Sequence, residues 1–210
     1  MINTKNANTF TGTQGAEALE SLSKNLAKNL TLREAQKKGG TSQVIKPNEI
    51  LFASTGVIGE KFPIQQIKNN TPQLVEKLRD KQNKFVWFKA ASSIMTTDTR
   101  PKLAYEECRI WNKDIRLSAI AKGSGMISPN MATMLAFVFT DAEIPSVFLK
   151  SLLKRAMTNT FNAITVDSDT STNDMVAIFS SNKVKTGKFY NVLDPKLKDF
   201  EMALQRLLLN

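Results

Sequence analysis

The chain has 210 residues, with 29 lysines and arginines against 19 acids, a net charge of +10, and 41% hydrophobic residues. It has no histidine and one cysteine, Cys108, which excludes Ser-His-Asp and Cys-His triads, histidine or four-cysteine zinc sites, and an intrachain disulfide. No apolar run reaches the roughly 18 residues that span a bilayer, and Met1-Ile2-Asn3-Thr4-Lys5-Asn6 lacks the apolar segment of a signal peptide, so a cytoplasmic protein with no membrane partner is expected.

In chain order, Asn3 to Gly12 is polar and turn-rich. From Gln14 to Lys37, Ala16, Leu19, Leu22, Leu26 and Leu30 recur at helical spacing and predict one or two amphipathic helices. Lys37 to Ser42 is a loop by composition, and Glu49 to Ala53 reads as a short buried strand stopped by Ser54-Thr55-Gly56. A helix is predicted from Pro63 to Lys81 and a buried one from Phe85 to Met95, ending at Thr96-Thr97-Asp98-Thr99. Strands are predicted at Ile115–Ala121, Met131–Thr140 and Val176–Phe179, with helices from Pro145 to Ala163 and from Pro195 to Leu209. Helices and strands mix without strict alternation, which favours an α+β fold. The lysines are dispersed among asparagines and acids, and no aromatic-basic module is present. A solvated lysine-rich surface is expected, not nucleic-acid binding.

Without histidine, a hydroxyl nucleophile needs a lysine or an α-amine as its base. Thr133 stands where the glycine-containing loop Lys122-Gly123-Ser124-Gly125 and Pro129 lead into an apolar strand. A β-branched residue there is ordinarily a packing residue. However, Gly123 and Gly125 permit a strained backbone, and small Ala132 leaves the Thr133 hydroxyl room to attack the preceding carbonyl. The α-amine so released has a reference pKa of about 7.7–8, suited to a general base. Ser54-Thr55-Gly56 reads either as a strand-ending turn or as an oxyanion donor pair, the Thr55 hydroxyl and the Gly56 N–H. Lys122 is either a solvated lysine or the cation for a substrate carboxylate. Thr96-Thr97-Asp98-Thr99 and Asp167 to Asp174 read by default as capping and solvated turns. No metal site is expected.

Six stretches taken together resemble the glutamate N-acetyltransferase (ornithine acetyltransferase) family: Asn6-Ala7-Asn8-Thr9 with Thr11-Gly12, Ala53 to Glu60, Ile94 to Thr99, Ala121 to Ile127, Pro129 to Leu135, and Val166-Asp167 with Asp169 to Asp174. The resemblance implies an α+β fold of stacked β-sheets flanked by helices, α/β/β/α-like, in the manner of self-processing N-terminal-nucleophile enzymes. It implies cleavage between Ala132 and Thr133, giving an α-chain portion, 1–132, and the start of a β chain, 133–210. Thr133 would be the nucleophile that takes acetyl from N-acetylornithine and passes it to glutamate in arginine biosynthesis. Thr55 and Gly56 match the oxyanion positions, and Thr96 and Lys122 match substrate-contacting positions, with Thr97 as a neighbouring alternative to Thr96. No cofactor is implied, acetyl-CoA being an acetyl donor for some members, and the implied oligomer is a heterotetramer of two α and two β chains.

Family members are longer. The resemblance leaves the first strands and a large C-terminal part unmatched, together with a substrate-contacting glutamate and an asparagine-threonine pair. Lys5 and Ser168 stand where glycines are usual, and Arg33 to Pro47 is longer than usual. A fragment truncated at both ends is therefore expected. The alternatives are a related aminopeptidase or amidase that passes the acyl group from the same threonine to water, and an inactive remnant.

Overall fold

The computed structural model describes residues 1–37, 44–78, 83–124, 134–164 and 174–210. They form two compact units, Met1–Asn83 and Lys84–Asn210.

In the first unit, β1 (Ile2–Asn3) pairs in parallel with β2 (Ala53–Ser54), and the helices are α1 (Gly12–Lys37) and α2 (Ile64–Glu76). The spacing that predicts one or two helices produces a single 26-residue helix. Its Ala18, Leu22 and Leu26 form one apolar stripe, buried with Phe62 and Val75 of the α2 region. The segment expected to be a buried strand from Glu49 to Ala53 differs. Pro47–Glu49 is a turn of 3-10 helix, and Leu51 is 62% exposed. The reason is local: the Lys46 N–H donates to the Glu49 carboxylate at 2.7 Å, closing a turn around Pro47. Only two residues of β1 are then available as a pairing partner.

The second unit is built on a four-stranded sheet in the order β3 (Lys102–Ile110), β4 (Lys113–Lys122), β5 (Leu135–Ala142), β6 (Met175–Val184). The first three strands are antiparallel; β5 and β6 run parallel. A parallel pair requires a crossover, and α4 (Ser146–Thr158) lies in it. Alternation along the strands separates two faces. Ile115 and Leu117 of β4 and Val138 of β5 pack with Leu149, Leu152 and Leu153 of α4 and with Phe200, Leu204 and Leu207 of α5 (Lys198–Leu209). On the other face Phe139 stacks with Phe179 at 5.4 Å between ring centroids and meets Trp87 of α3 (Lys84–Ser93) at 5.2 Å. The α+β expectation holds, and the sheet of this unit is flanked by helices. Helix α3 differs from the buried helix expected there, because Phe85 is 68% exposed and Ala91 is its only residue classed as buried.

Strand β3 has no counterpart in the sequence reading. Its two faces carry similar mixtures, with Leu103, Tyr105 and Glu107 alternating against Ala104, Glu106 and Cys108, so the period-2 signal is weak. The hairpin turn is Trp111-Asn112, with Trp111 at φ +57°, and not an Asn-Gly pair. Phe200 is fully buried at the centre of the core between α5 and the sheet. Phe200→Ala should cost about 3–5 kcal/mol in urea unfolding, whereas Val147→Ala, on the exposed side of α4, should stay within about 0.5 kcal/mol.

Candidate functional site

In the first unit Thr55 and Gly56 follow β2. Thr55 is completely buried, and its N–H donates to the Asn3 carbonyl at 3.1 Å, extending the short parallel pairing by one residue. Beyond it Val57 N–H donates to Lys5 O at 3.2 Å and Ala7 N–H to Val57 O at 2.9 Å. The two chains are thus stitched on either side of Gly56. Here the glycine is required: φ is +133°, and a Cβ would lie 2.1 Å from the Lys5 carbonyl carbon and 2.4 Å from Asn6 N. The close approach exists because this backbone presses against Lys5-Asn6, and only glycine lacks the atom that would prevent it. Asn6 Oδ1 is buried there without a hydrogen-bond partner among the described residues.

In the second unit the structure brings Thr96 and Lys122 together. Lys122 is the last residue of β4 and is 2% exposed. It points to the same sheet face as Ile120, and the register places it opposite Leu135. Its Nζ donates to Thr96 Oγ1 at 3.1 Å. Burial pushes its ammonium below the usual lysine range; the Asp98 and Asp174 charges oppose that shift, and Lys102 adds to it. Lys122 is therefore a buried cation, not a solvated one.

Two acids that the sequence reading assigned to solvated turns belong to this site. The Asp98 side chain is fully enclosed. It accepts the Gly123 N–H at 2.8 Å, the Thr96 N–H at 3.3 Å, and the Lys102 ammonium. Burial alone would raise its carboxyl, but the bonds from Lys102, Gly123 and Thr96 outweigh it, and the group lies below the usual aspartate range. Thr97, the alternative to Thr96, instead pairs its hydroxyl with that of Ser124 at 2.8 Å. Asp174, at the head of β6, accepts the Met134 N–H and is pushed upward, chiefly by burial. Its Oδ2 is buried with no hydrogen-bond partner among the described residues.

Ala132 and Thr133 lie outside the described residues, as do Asp167 and Asp169. Met134, the residue joined to Thr133, is held from two sides: its N–H by Asp174 and its carbonyl by the Met175 N–H at 2.9 Å. Cys108 offers no nucleophile, since burial pushes its thiol up to about 12. Among the described residues no helix is long and apolar enough to cross a membrane.

These features define an α+β protein with a buried lysine, three hydroxyls and two carboxylates gathered at one end of a mixed sheet. The ArgJ family profile matches residues 1–210, and the chain belongs to the ArgJ family. It is 42% identical to the arginine biosynthesis bifunctional protein ArgJ of Gluconobacter oxydans (strain 621H), over all of this chain and 45% of that protein. It is 41% identical to the protein of that name from Bartonella quintana (strain Toulouse), over 99% of this chain and 47% of that one. The chain thus spans about half the length of the curated relatives it matches. The crystal structure of arginine biosynthesis bifunctional protein argJ from Bacillus halodurans superposes with a TM-score of 0.50 at 28% identity, covering 62% of this chain and 60% of that one.

Gly56→Ala should destabilise the first unit by about 3 kcal/mol or more, because the left-handed backbone and the contact with Lys5 act together. At Gly59, φ is +81° but a Cβ meets nothing within 4 Å, so Gly59→Ala should cost only about 1 kcal/mol. Equal losses in denaturant unfolding would contradict the close approach.

Proposed function

We propose that this chain carries the nucleophile, the oxyanion donors and a substrate-binding lysine of a glutamate N-acetyltransferase that works by ping-pong acetyl transfer. The observation that carries the reading is the buried Lys122 bonded to Thr96 at the end of β4, in a chain matched along its whole length by the ArgJ family. The names of the relatives assign those proteins to arginine biosynthesis.

In the first stage the Thr133 hydroxyl attacks the Ala132 carbonyl, and the acyl group moves from nitrogen to oxygen. Water then hydrolyses the ester, leaving a carboxylate on Ala132 and a free α-amine on Thr133. In the second stage that amine accepts the hydroxyl proton while Thr133 Oγ attacks the acetyl carbonyl of N-acetylornithine. The Thr55 hydroxyl and the Gly56 N–H stabilise the developing oxyanion. The proton passes to the departing amine, and ornithine leaves an acetyl-threonine ester. The glutamate amine attacks that ester and regenerates the threonine. Thr96 and Lys122 bind substrate, Lys122 through a carboxylate. The chemistry needs no cofactor or metal, and acetyl-CoA is a second possible donor of the same acetyl group. Two α and two β chains make up the assembly.

The cleavage position falls within the second unit, between β4 and β5, whose residues pair from Leu117–Thr140 to Lys122–Leu135. Mass spectrometry of the purified chain should therefore find pieces of 132 and 78 residues that co-elute under native conditions and separate in denaturant. Thr133→Ala should remain a single 210-residue chain. A folded wild-type chain that stays uncut would overturn the self-processing step. In a chain extended to the length of its relatives, acetyl should pass from N-acetylornithine to glutamate; release of free acetate without transfer would favour hydrolysis.

A further inference from the structure

Asp98 lies in the loop between α3 and β3, where a solvated turn is the ordinary expectation. Its surroundings are otherwise. The carboxylate is fully enclosed and takes donors from three places: the amide of Thr96 in its own loop, the amide of Gly123 just past β4, and the ammonium of Lys102 at the start of β3. Lys122, the residue before Gly123, returns its ammonium to the Thr96 hydroxyl. Asp98, Gly123, Lys122 and Thr96 thus close a ring of hydrogen bonds and covalent links. The Thr97–Ser124 hydroxyl pair fastens the same two segments once more. Burying an acid is costly unless its hydrogen bonds are made and a cation is near. Asp98 meets both conditions, and an uncharged acceptor would suffice if it only stapled a loop.

We propose that Asp98 is the positioning residue of this site: by holding the Thr96 backbone and the Gly123 amide, it sets the direction in which Lys122 presents its ammonium to a ligand carboxylate. Asp98 acts through Lys122 and touches no ligand. The proposal rests on the reading of Lys122 as the carboxylate-binding cation. Among the described residues, Asp98, Lys102 and Asp174 act on Lys122 through their charges; they come from the α3–β3 loop, β3 and the head of β6.

The test is a titration of Lys122 in the 210-residue chain by NMR of 13C-labelled lysine side chains. Asp98→Asn removes the negative charge while keeping the shape, and the Lys122 midpoint should fall. Lys102→Met removes a like charge at a half-exposed position, and the midpoint should rise. In Asp98→Ala, hydrogen exchange at the Gly123 amide should accelerate about tenfold or more. A plain structural staple predicts lost stability without opposite shifts at one lysine. An unmoved midpoint in Asp98→Asn, or a Lys102→Met shift in the same direction, overturns the proposal. If Asp98→Ala does not fold, Asp98→Asn, which keeps the shape, still decides it. The carboxylate reading fails separately: in an extended, active chain, Lys122→Met would then leave the KM for N-acetylornithine unchanged, whatever the titration shows.

Discussion

A lysine with 2% of its surface exposed, at the end of β4, is the constraint on which the second unit's candidate site depends. Ile120, Phe137 and Phe139 share the face onto which Lys122 projects, so the strand pattern leads a cation into a dry position. Removing a charge from water costs several kcal/mol unless partners replace the solvent. The replacements come from three directions: the Thr96 hydroxyl by a direct bond, and the carboxylates of Asp98 and Asp174 through their fields. Each of the three also fastens backbone. Thr96 and Asp98 tie the loop after α3 to Gly123, and Asp174 ties the head of β6 to Met134.

This arrangement anchors both flanks of the segment that carries Ala132 and Thr133. Gly123 is held by Asp98, and Met134 by Asp174 and Met175. Self-cleavage in such a frame would leave the sheet intact, since β4–β5 pairing and the shared core of α4, α5 and the strands join the two pieces. The two carboxylates differ in kind. Asp98 is satisfied by three donors and held below the usual range, while Asp174 has one buried oxygen without a partner among the described residues and is held above it.

The elements with strong periodicity were legible from residue order. Helices α1, α4 and α5 and strands β4, β5 and β6 overlap the segments that spacing predicts, although Ala16 and Val147 of the expected apolar stripes are exposed. Strand β3 escaped because both its faces are mixed and its turn uses Trp111, a residue with no turn signature. The Glu49–Ala53 strand was over-read because its apolar residues match a strand while the Lys46–Glu49 contact makes a turn instead. Motif resemblance picked out Lys122 and Thr96, which the second unit brings together, and Thr55 and Gly56, which lie in the first unit. Asp98 and Asp174 were not, because an acid among threonines and serines reads as a solvated turn. The signal that could have found Asp98 is its position two residues after Thr96: a pair so placed can meet Lys122 and its neighbour Gly123.

The most direct measurement is the unfolding free energy of the chain and of Asp98→Asn between pH 2 and pH 8. A carboxyl held below its unfolded range stabilises the fold above the unfolded pKa of about 3.9, and that stabilisation disappears as pH falls through the lower, folded value. The chain should therefore exceed the variant by about 1.5–3 kcal/mol at pH 7, with the gap closing in acid below about pH 4. A gap that stays constant across the range, or widens in acid, would contradict a charged Asp98 at the centre of the site.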